Sequence, residues 1–139
     1  MKVFFDTNVY VAEALLGGAA EQMLAATFAA RWRILSSGYV LEETQRVLSE
    51  KLGFSRRFGR LTRERARRRA NLVVPPASRH RVPHDPADSP VLRAALAAGA
   101  DLLVTNDTHL LALNPYEGLR VISMTEYFSL LVHEGHIVS

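Results

Sequence analysis

With 139 residues, 48% of them hydrophobic and 22% charged, the chain has the size and balance of one globular domain spanning residues 1–139, which excludes a disordered or fibrous polypeptide. The absence of cysteine excludes disulfides, thiolate metal sites and a cysteine nucleophile, and it suits a reducing cytoplasm. The net charge of +3 is small but unevenly spread: between Ser55 and Arg81 stand ten arginines with Glu64 as the only acid, a pattern expected of a protein that meets polyanions while holding a cation elsewhere.

Lys2 to Phe5 is an apolar, β-prone run stopped by Asp6-Thr7-Asn8, which predicts a buried strand ending in a polar turn. Because Asp6 follows so soon, the start lacks the unbroken apolar stretch of a signal peptide, and charged residues interrupt every later hydrophobic run before it reaches the ~20 residues of a membrane span. A soluble, cytoplasmic protein is expected. Val9 to Leu16 predicts a helix ended by Gly17-Gly18, Ala19 to Ala30 a second helix, and Trp32 to Leu35 a second strand.

Ser36-Ser37-Gly38 introduces a helix from Tyr39 to Leu52 with Val40, Leu41, Thr44, Val47 and Leu48 on one side. At 100° per residue Glu42 falls opposite that side, where Arg46 four residues on makes it a surface ion pair, whereas Glu43 sits at the apolar edge. Phe54, Phe58 and Leu61 recur at helical spacing, giving an amphipathic helix with an apolar seam and a basic outer face, broken by Asn71 to Pro76. After a proline-containing loop, a helix from Ser89 to Ala98 ends at Gly99, and Leu102-Leu103-Val104 forms a strand. That strand also stops in a polar turn, Thr105-Asn106-Asp107, before a short helix around Leu110 and Leu111. Arg120 to Ile122 is a last strand, and Thr125 caps a final helix to His133. Trp32 and the phenylalanines, lying in apolar periodic segments, are expected in the core and not as stacking platforms for bases.

Alternating strands and helices predict an α/β three-layer sandwich with a mainly parallel central sheet flanked by helices. Ligands of such sheets bind at the carboxyl ends of strands, where the turns after Phe5 and Val104 lie. Asp6 and Asp107 come to that edge on strands, and Glu43 and Asp88 come from helix positions able to reach it. Like charges 4 Å apart repel by about 4 kcal/mol at an effective dielectric near 20, so a cation is expected among these acids. Oxygen donors without His or Cys suit Mg²⁺ or Mn²⁺, which polarise phosphoryl groups and activate water. Thr7, Asn8, Thr105 and Asn106 are expected to orient the acids by hydrogen bonds, with Asp85 as a loop acid or outer metal partner. Each acid has a plainer reading as well: Asp6 as a strand end, Asp107 and Asp88 as helix caps.

The arginines Arg56, Arg57, Arg60, Arg63, Arg67 and Arg68 present planar, permanently charged donors suited to RNA phosphates, or else an ordinary solvated face or a surface for an acidic partner. The five histidines show no paired ligand spacing. An aspartyl phosphatase would have a second aspartate two residues after the first, where Asn8 stands, and no Gly-rich, Lys-containing phosphate loop is present.

The segments Val3-Phe4-Phe5-Asp6-Thr7-Asn8, Tyr39-Val40-Leu41-Glu42-Glu43 with Val47-Leu48, Asp85-Pro86-Ala87-Asp88 with Leu92, and Ala100 to Asp107 with Leu110-Leu111 occur in the order of a known family. Together they resemble the PIN domain, in particular the toxin component of prokaryotic toxin–antitoxin pairs. The resemblance implies that Asp6, Glu43, Asp88 and Asp107 bind Mg²⁺ or Mn²⁺ and catalyse RNA hydrolysis, with a cognate antitoxin and a homodimer as partners. A PIN-like RNA-binding or assembly module that does not cut is the alternative.

Overall fold

In the computed structural model, which describes residues 1–74 and 89–138, each apolar run bounded by turn residues becomes a strand. The strands are β1 (Lys2–Phe5), β2 (Arg33–Ser37), β3 (Asn71–Val73), β4 (Leu102–Val104) and β5 (Arg120–Ile122). They form one sheet in the order β3-β2-β1-β4-β5, every neighbouring pair parallel. The chain builds outward from β1 to β2 and β3, then returns to the other side of β1 for β4 and β5. The ends of β1 and β4 therefore frame the point where strand order reverses, the usual ligand crevice of open α/β sheets.

The helices are α1 (Thr7–Leu16), α2 (Gly18–Ala29), α3 (Gly38–Arg46), α4 (Arg56–Arg69), α5 (Ser89–Ala97), α6 (Thr108–Leu111) and α7 (Met124–His133). They complete the three-layer α/β arrangement expected from the alternation of elements. Val3, Phe4 and Phe5 are fully buried, as are Leu103 and Val104 beside them, because a central parallel strand is covered on both faces. The Phe5 ring meets Tyr10 of α1 and Tyr127 of α7 edge to face, with centroids 6.3 and 5.5 Å away. No described helix is long and apolar enough to cross a membrane.

Several local expectations are corrected. β3 lies within the stretch read as a break: Leu35, Ser36 and Ser37 pair with Asn71, Leu72 and Val73, so β2 supplies the partner that three residues lack alone. α3 does not run evenly to Leu52. It passes into a π-helical turn over Val47–Lys51, where the Leu52 N–H reaches back five residues to the Val47 carbonyl at 2.9 Å. α7 is capped by Ser123, whose hydroxyl accepts from the Glu126 N–H, and not by Thr125. Phe28 and Phe54 are exposed, at 60% and 43%, so they stand outside the core. On α4 the buried positions are Gly59 and Ala66, while Leu61 of the expected apolar seam is exposed. Gly59 permits this approach: a β-carbon there would meet the Ser49 hydroxyl and lie 3.1 Å from the Gln45 carbonyl oxygen.

α4 is tied to α1 by a pair absent from the sequence reading. Glu13, buried within the apolar helix VYVAEALL, accepts two hydrogen bonds from the Arg69 guanidinium at 2.7 and 2.8 Å, with Arg65 at 3.5 Å. Removing one partner of such a pair leaves an uncompensated buried charge, whereas replacing both by apolar groups avoids that cost. Arg69→Leu is expected to lower the unfolding free energy by about 3 kcal/mol, the low end of the range because Arg65 remains. Glu13→Leu with Arg69→Leu recovers most of it. Urea denaturation of the three proteins checks this, and a single variant as stable as the parent refutes it.

Candidate active site

Asp6 ends β1 and caps α1 with extended backbone, φ −71° and ψ 163°. Its Oδ1 accepts from the Thr7 N–H at 2.7 Å, and its Oδ2 accepts from the Thr105 hydroxyl at 2.7 Å and the Asn8 amide at 3.3 Å. Only 3% of the residue is exposed. Burial raises its pKa to about 6; the Thr105 and Thr7 hydrogen bonds oppose that rise, and the charges of Glu43 and Asp107 add to it.

Thr105, at the end of β4, joins the two strand ends. Its hydroxyl donates to Asp6 and accepts from the Asp107 N–H at 3.0 Å, while its own N–H reaches the Ile122 carbonyl of β5. Asn8 spans the same gap: its amide also lies 3.4 Å from the Thr105 hydroxyl, and its carbonyl accepts from the Asn106 N–H at 3.4 Å. Asn106 in turn accepts from the Met124 N–H at 3.0 Å, anchoring the turn to α7. All four Thr and Asn residues singled out in the sequence thus lie around Asp6. Asn8 and Thr105 donate to the Asp6 carboxylate by side chain and Thr7 by its N–H, whereas Asn106 bonds Asn8 and the Met124 N–H and no acid; the Thr7 hydroxyl is buried at the cavity wall with no hydrogen-bond partner among the described residues.

Asp6, Thr7, Asn8, Val11, Glu43, Val47 and Asp107 line one cavity of about 200 Å³. Asp107 fulfils its plainer reading too, since its Oδ1 caps α6 by accepting from the His109 and Leu110 N–H groups at 2.8 and 3.2 Å. Glu43 faces the cavity from the half-buried edge of α3, while Glu42 is exposed. The ion pair expected of Glu42 belongs instead to Glu43: the Arg46 guanidinium lies 3.7 Å from its carboxylate, one helical turn away. The three acids share the cavity without converging on one point. Among the described residues no three carboxylate or imidazole groups are close enough to hold one metal ion. One oxygen of Asp107 is committed to a helix end and Glu43 leans toward Arg46, so the carboxylates stand apart as like charges do. Asp85 and Asp88 lie outside the described residues.

The donor set suits a hard divalent cation, because carboxylate and hydroxyl oxygens line the cavity and Asp6 is buried in ionisable form against two further acids. Of the basic residues named in the sequence, Arg56, Arg57, Arg60, Arg67 and Arg68 are exposed on α4. Arg63 donates to the Gln45 side chain at 3.1 Å, and Arg67 pairs with Glu64 at 3.1 Å. Arg56, Arg63 and Arg46 line a groove of about 410 Å³ between α3 and α4, shared with Glu42 and Glu50. Arg46 links this groove to Glu43 and so to the acidic cavity.

The raised pKa of Asp6 has a consequence for stability. The folded protein holds this proton more tightly than the unfolded chain, so the contribution is present below about pH 4 and lost as pH rises toward 6. A shift of about two units is worth about 3 kcal/mol. Without divalent metal, Asp6→Asn is expected to be more stable than the parent at pH 7.5 by up to about 3 kcal/mol, with the difference vanishing near pH 4. Chemical denaturation at the two pH values measures it, and equal stability at pH 7.5 contradicts the burial argument.

The comparisons agree with this geometry. A PIN domain family model matches residues 2–109, from the first residue of β1 into α6. No curated protein sequence matches the chain. Among solved structures, PAE2754 from Pyrobaculum aerophilum superposes with a TM-score of 0.67 at 16% identity, over 96% of this chain and 90% of that one, a likeness of fold. PIN domains are generally nucleases that use divalent metals. With the strand order, the acid-bearing ends of β1 and β4 and the extent of the match all in agreement, this chain belongs to the PIN domain family.

Proposed function

We propose that the protein is a metal-dependent endoribonuclease that hydrolyses RNA phosphodiester bonds, and that it is the toxin of a toxin–antitoxin pair. The observation that carries the reading is the cavity at the reversal of strand order, lined by Asp6 after β1, Glu43 of α3 and Asp107 in the turn after β4. Asp6, Glu43 and Asp107 are the residues that would hold Mg²⁺ or Mn²⁺, with Asp88 as the fourth acid named from the sequence. The ion, when bound, polarises a phosphoryl oxygen and lowers the pKa of a water.

The protein's own contribution is placement. Thr105 and the Thr7 N–H lock the Asp6 carboxylate in one orientation, and Asn8 keeps the two strand ends in register. Asp107 is fixed by the two N–H groups it caps. Glu43 is the adjustable member, held by a longer contact to Arg46. The arginines of α4 lie alongside, where their guanidinium groups would take the phosphates of a strand passing the cavity. The cognate antitoxin and the homodimer belong to this proposal through the resemblance of the motif set to toxin members.

A non-catalytic RNA-binding or assembly module is the second reading, favoured by the spacing of the three described acids and by the Arg46 contact to Glu43. Incubation of purified protein with a mixed RNA pool separates the two. Cleavage is expected with Mg²⁺ or Mn²⁺, abolished by EDTA, and slowed by about 100-fold or more in Asp6→Asn, since loss of metal-centred charge stabilisation is worth several kcal/mol. Folded, antitoxin-free protein that binds RNA and leaves it intact establishes the module instead. A direct binding readout accompanies this: Mn²⁺ is expected to raise the thermal midpoint of the parent more than that of Asp6→Asn.

A further inference from the structure

At the opposite end of the sheet from the acids, where β2 and β3 begin, lies a second cavity of about 470 Å³. Its lining joins two exposed arginines, Arg31 and Arg33, to the aromatic side chains of Phe28 and Trp32, with Asn71 at the start of β3. No carboxylate lines it, and among the described residues no acid lies within ion-pair distance of Arg31 or Arg33. The remaining cation, Arg69, is already committed to Glu13. Trp32 is held in place by an edge-on contact with His136, ring centroids 4.9 Å apart. The Phe28 ring stands 60% exposed on the last turn of α2.

The backbone points the same way. Arg31 follows the end of α2 in the left-handed region at φ 60°, its N–H bonded to the Phe28 carbonyl at 3.1 Å. Glycine is the residue that fills this position without steric cost, so the arginine stands here against the local preference. A helix C-terminus favours a cation but gives no reason for the exposed Phe28 ring beside it, with the half-buried Trp32 next to it.

We infer that this patch is a second contact for single-stranded RNA, with a base stacked on the exposed Phe28 ring, the half-buried Trp32 beside it, and backbone phosphates held by Arg31 and Arg33. The combination of π-faces and unpaired guanidinium groups is the chemistry by which proteins hold single strands without reading sequence. The inference rests on RNA being the substrate. β2, at about 3.3 Å per residue, separates the patch from the acidic edge by roughly 15 Å, so the contact serves a strand extending several nucleotides beyond the cleavage site.

The test measures binding of a fluorescein-labelled single-stranded RNA of about 20 nucleotides to Asp6→Asn protein, with Arg31→Gly or Phe28→Ala added. Arg31→Gly is the informative variant, because glycine relieves the backbone and the thermal midpoint is expected to equal or exceed the parent's. Its affinity is expected to fall about threefold or more, and its log–log salt slope to lose about 0.7. Phe28→Ala is expected to weaken binding about tenfold. Variants that bind as tightly as the parent overturn the inference, while cleavage by the unmutated chain keeps the nuclease reading intact. Unchanged RNA affinity with a lowered sedimentation coefficient for Phe28→Ala overturns it as well and assigns the patch to a second copy of the chain. A parent that neither binds nor cuts RNA removes the substrate reading and this inference together.

Discussion

The hydrogen bond from the Thr105 hydroxyl to the Asp6 carboxylate, 2.7 Å long across 99 residues of sequence, is the contact on which the site depends. A carboxylate this deeply buried is expensive unless its lone pairs are met by donors. Thr105 meets one oxygen and the first N–H of α1 meets the other, and the Thr105 donor is in reach only when β1 and β4 lie side by side. The parallel pairing of the two strands is thus both the centre of the fold and the means of presenting an acid to the crevice. The remaining cost, seen in the raised pKa of Asp6, marks a place where a positive charge is favoured.

Two kinds of electrostatic solution coexist within α1. At its start Asp6 has no cationic partner among the described residues and faces a cavity. Two turns along, Glu13 is closed off by Arg69 and Arg65. The first arrangement leaves a buried carboxylate in want of charge, and the second fixes α4, with its row of arginines, against the body that carries the acids. The basic helix is therefore anchored by its own last residues and leaves its outer face free. Arg46 stands between the two systems, in the groove against α4 and within 3.7 Å of Glu43.

Much of this was legible in the residues, because the signals were local. A short apolar run stopped by Asp-Thr-Asn or Thr-Asn-Asp announces a buried strand and its polar end, and both turns lie where that pattern puts them. The helical face test separated Glu43 from Glu42 correctly. It did not find the partner of Arg46, because the i, i+3 and i, i+4 neighbours of an arginine are both within reach and side-chain direction decides between them. β3 was hidden for a different reason: Asn71-Leu72-Val73 is too short to show a period and is a strand only because β2 pairs with it. The exposure of Phe28 and Phe54, and the burial of Glu13 in partnership with an arginine 56 residues away, are tertiary facts that no window of sequence contains. A charged residue inside an otherwise apolar helix was the available sign of Glu13. Asp85 and Asp88 fall outside the described residues.

The long reach between Asp6 and Thr105 also sets when during its own synthesis the chain acquires its cavity. β1, α1 and α3 leave the ribosome early, carrying Asp6 and Glu43, but β4 comes last but one among the strands and Asp107 after it. Domains made of such non-local parallel pairs gain their central contacts late. A nascent chain therefore carries separate acids and no crevice for most of its translation, and the site comes into being only once the far half of the sheet has been made.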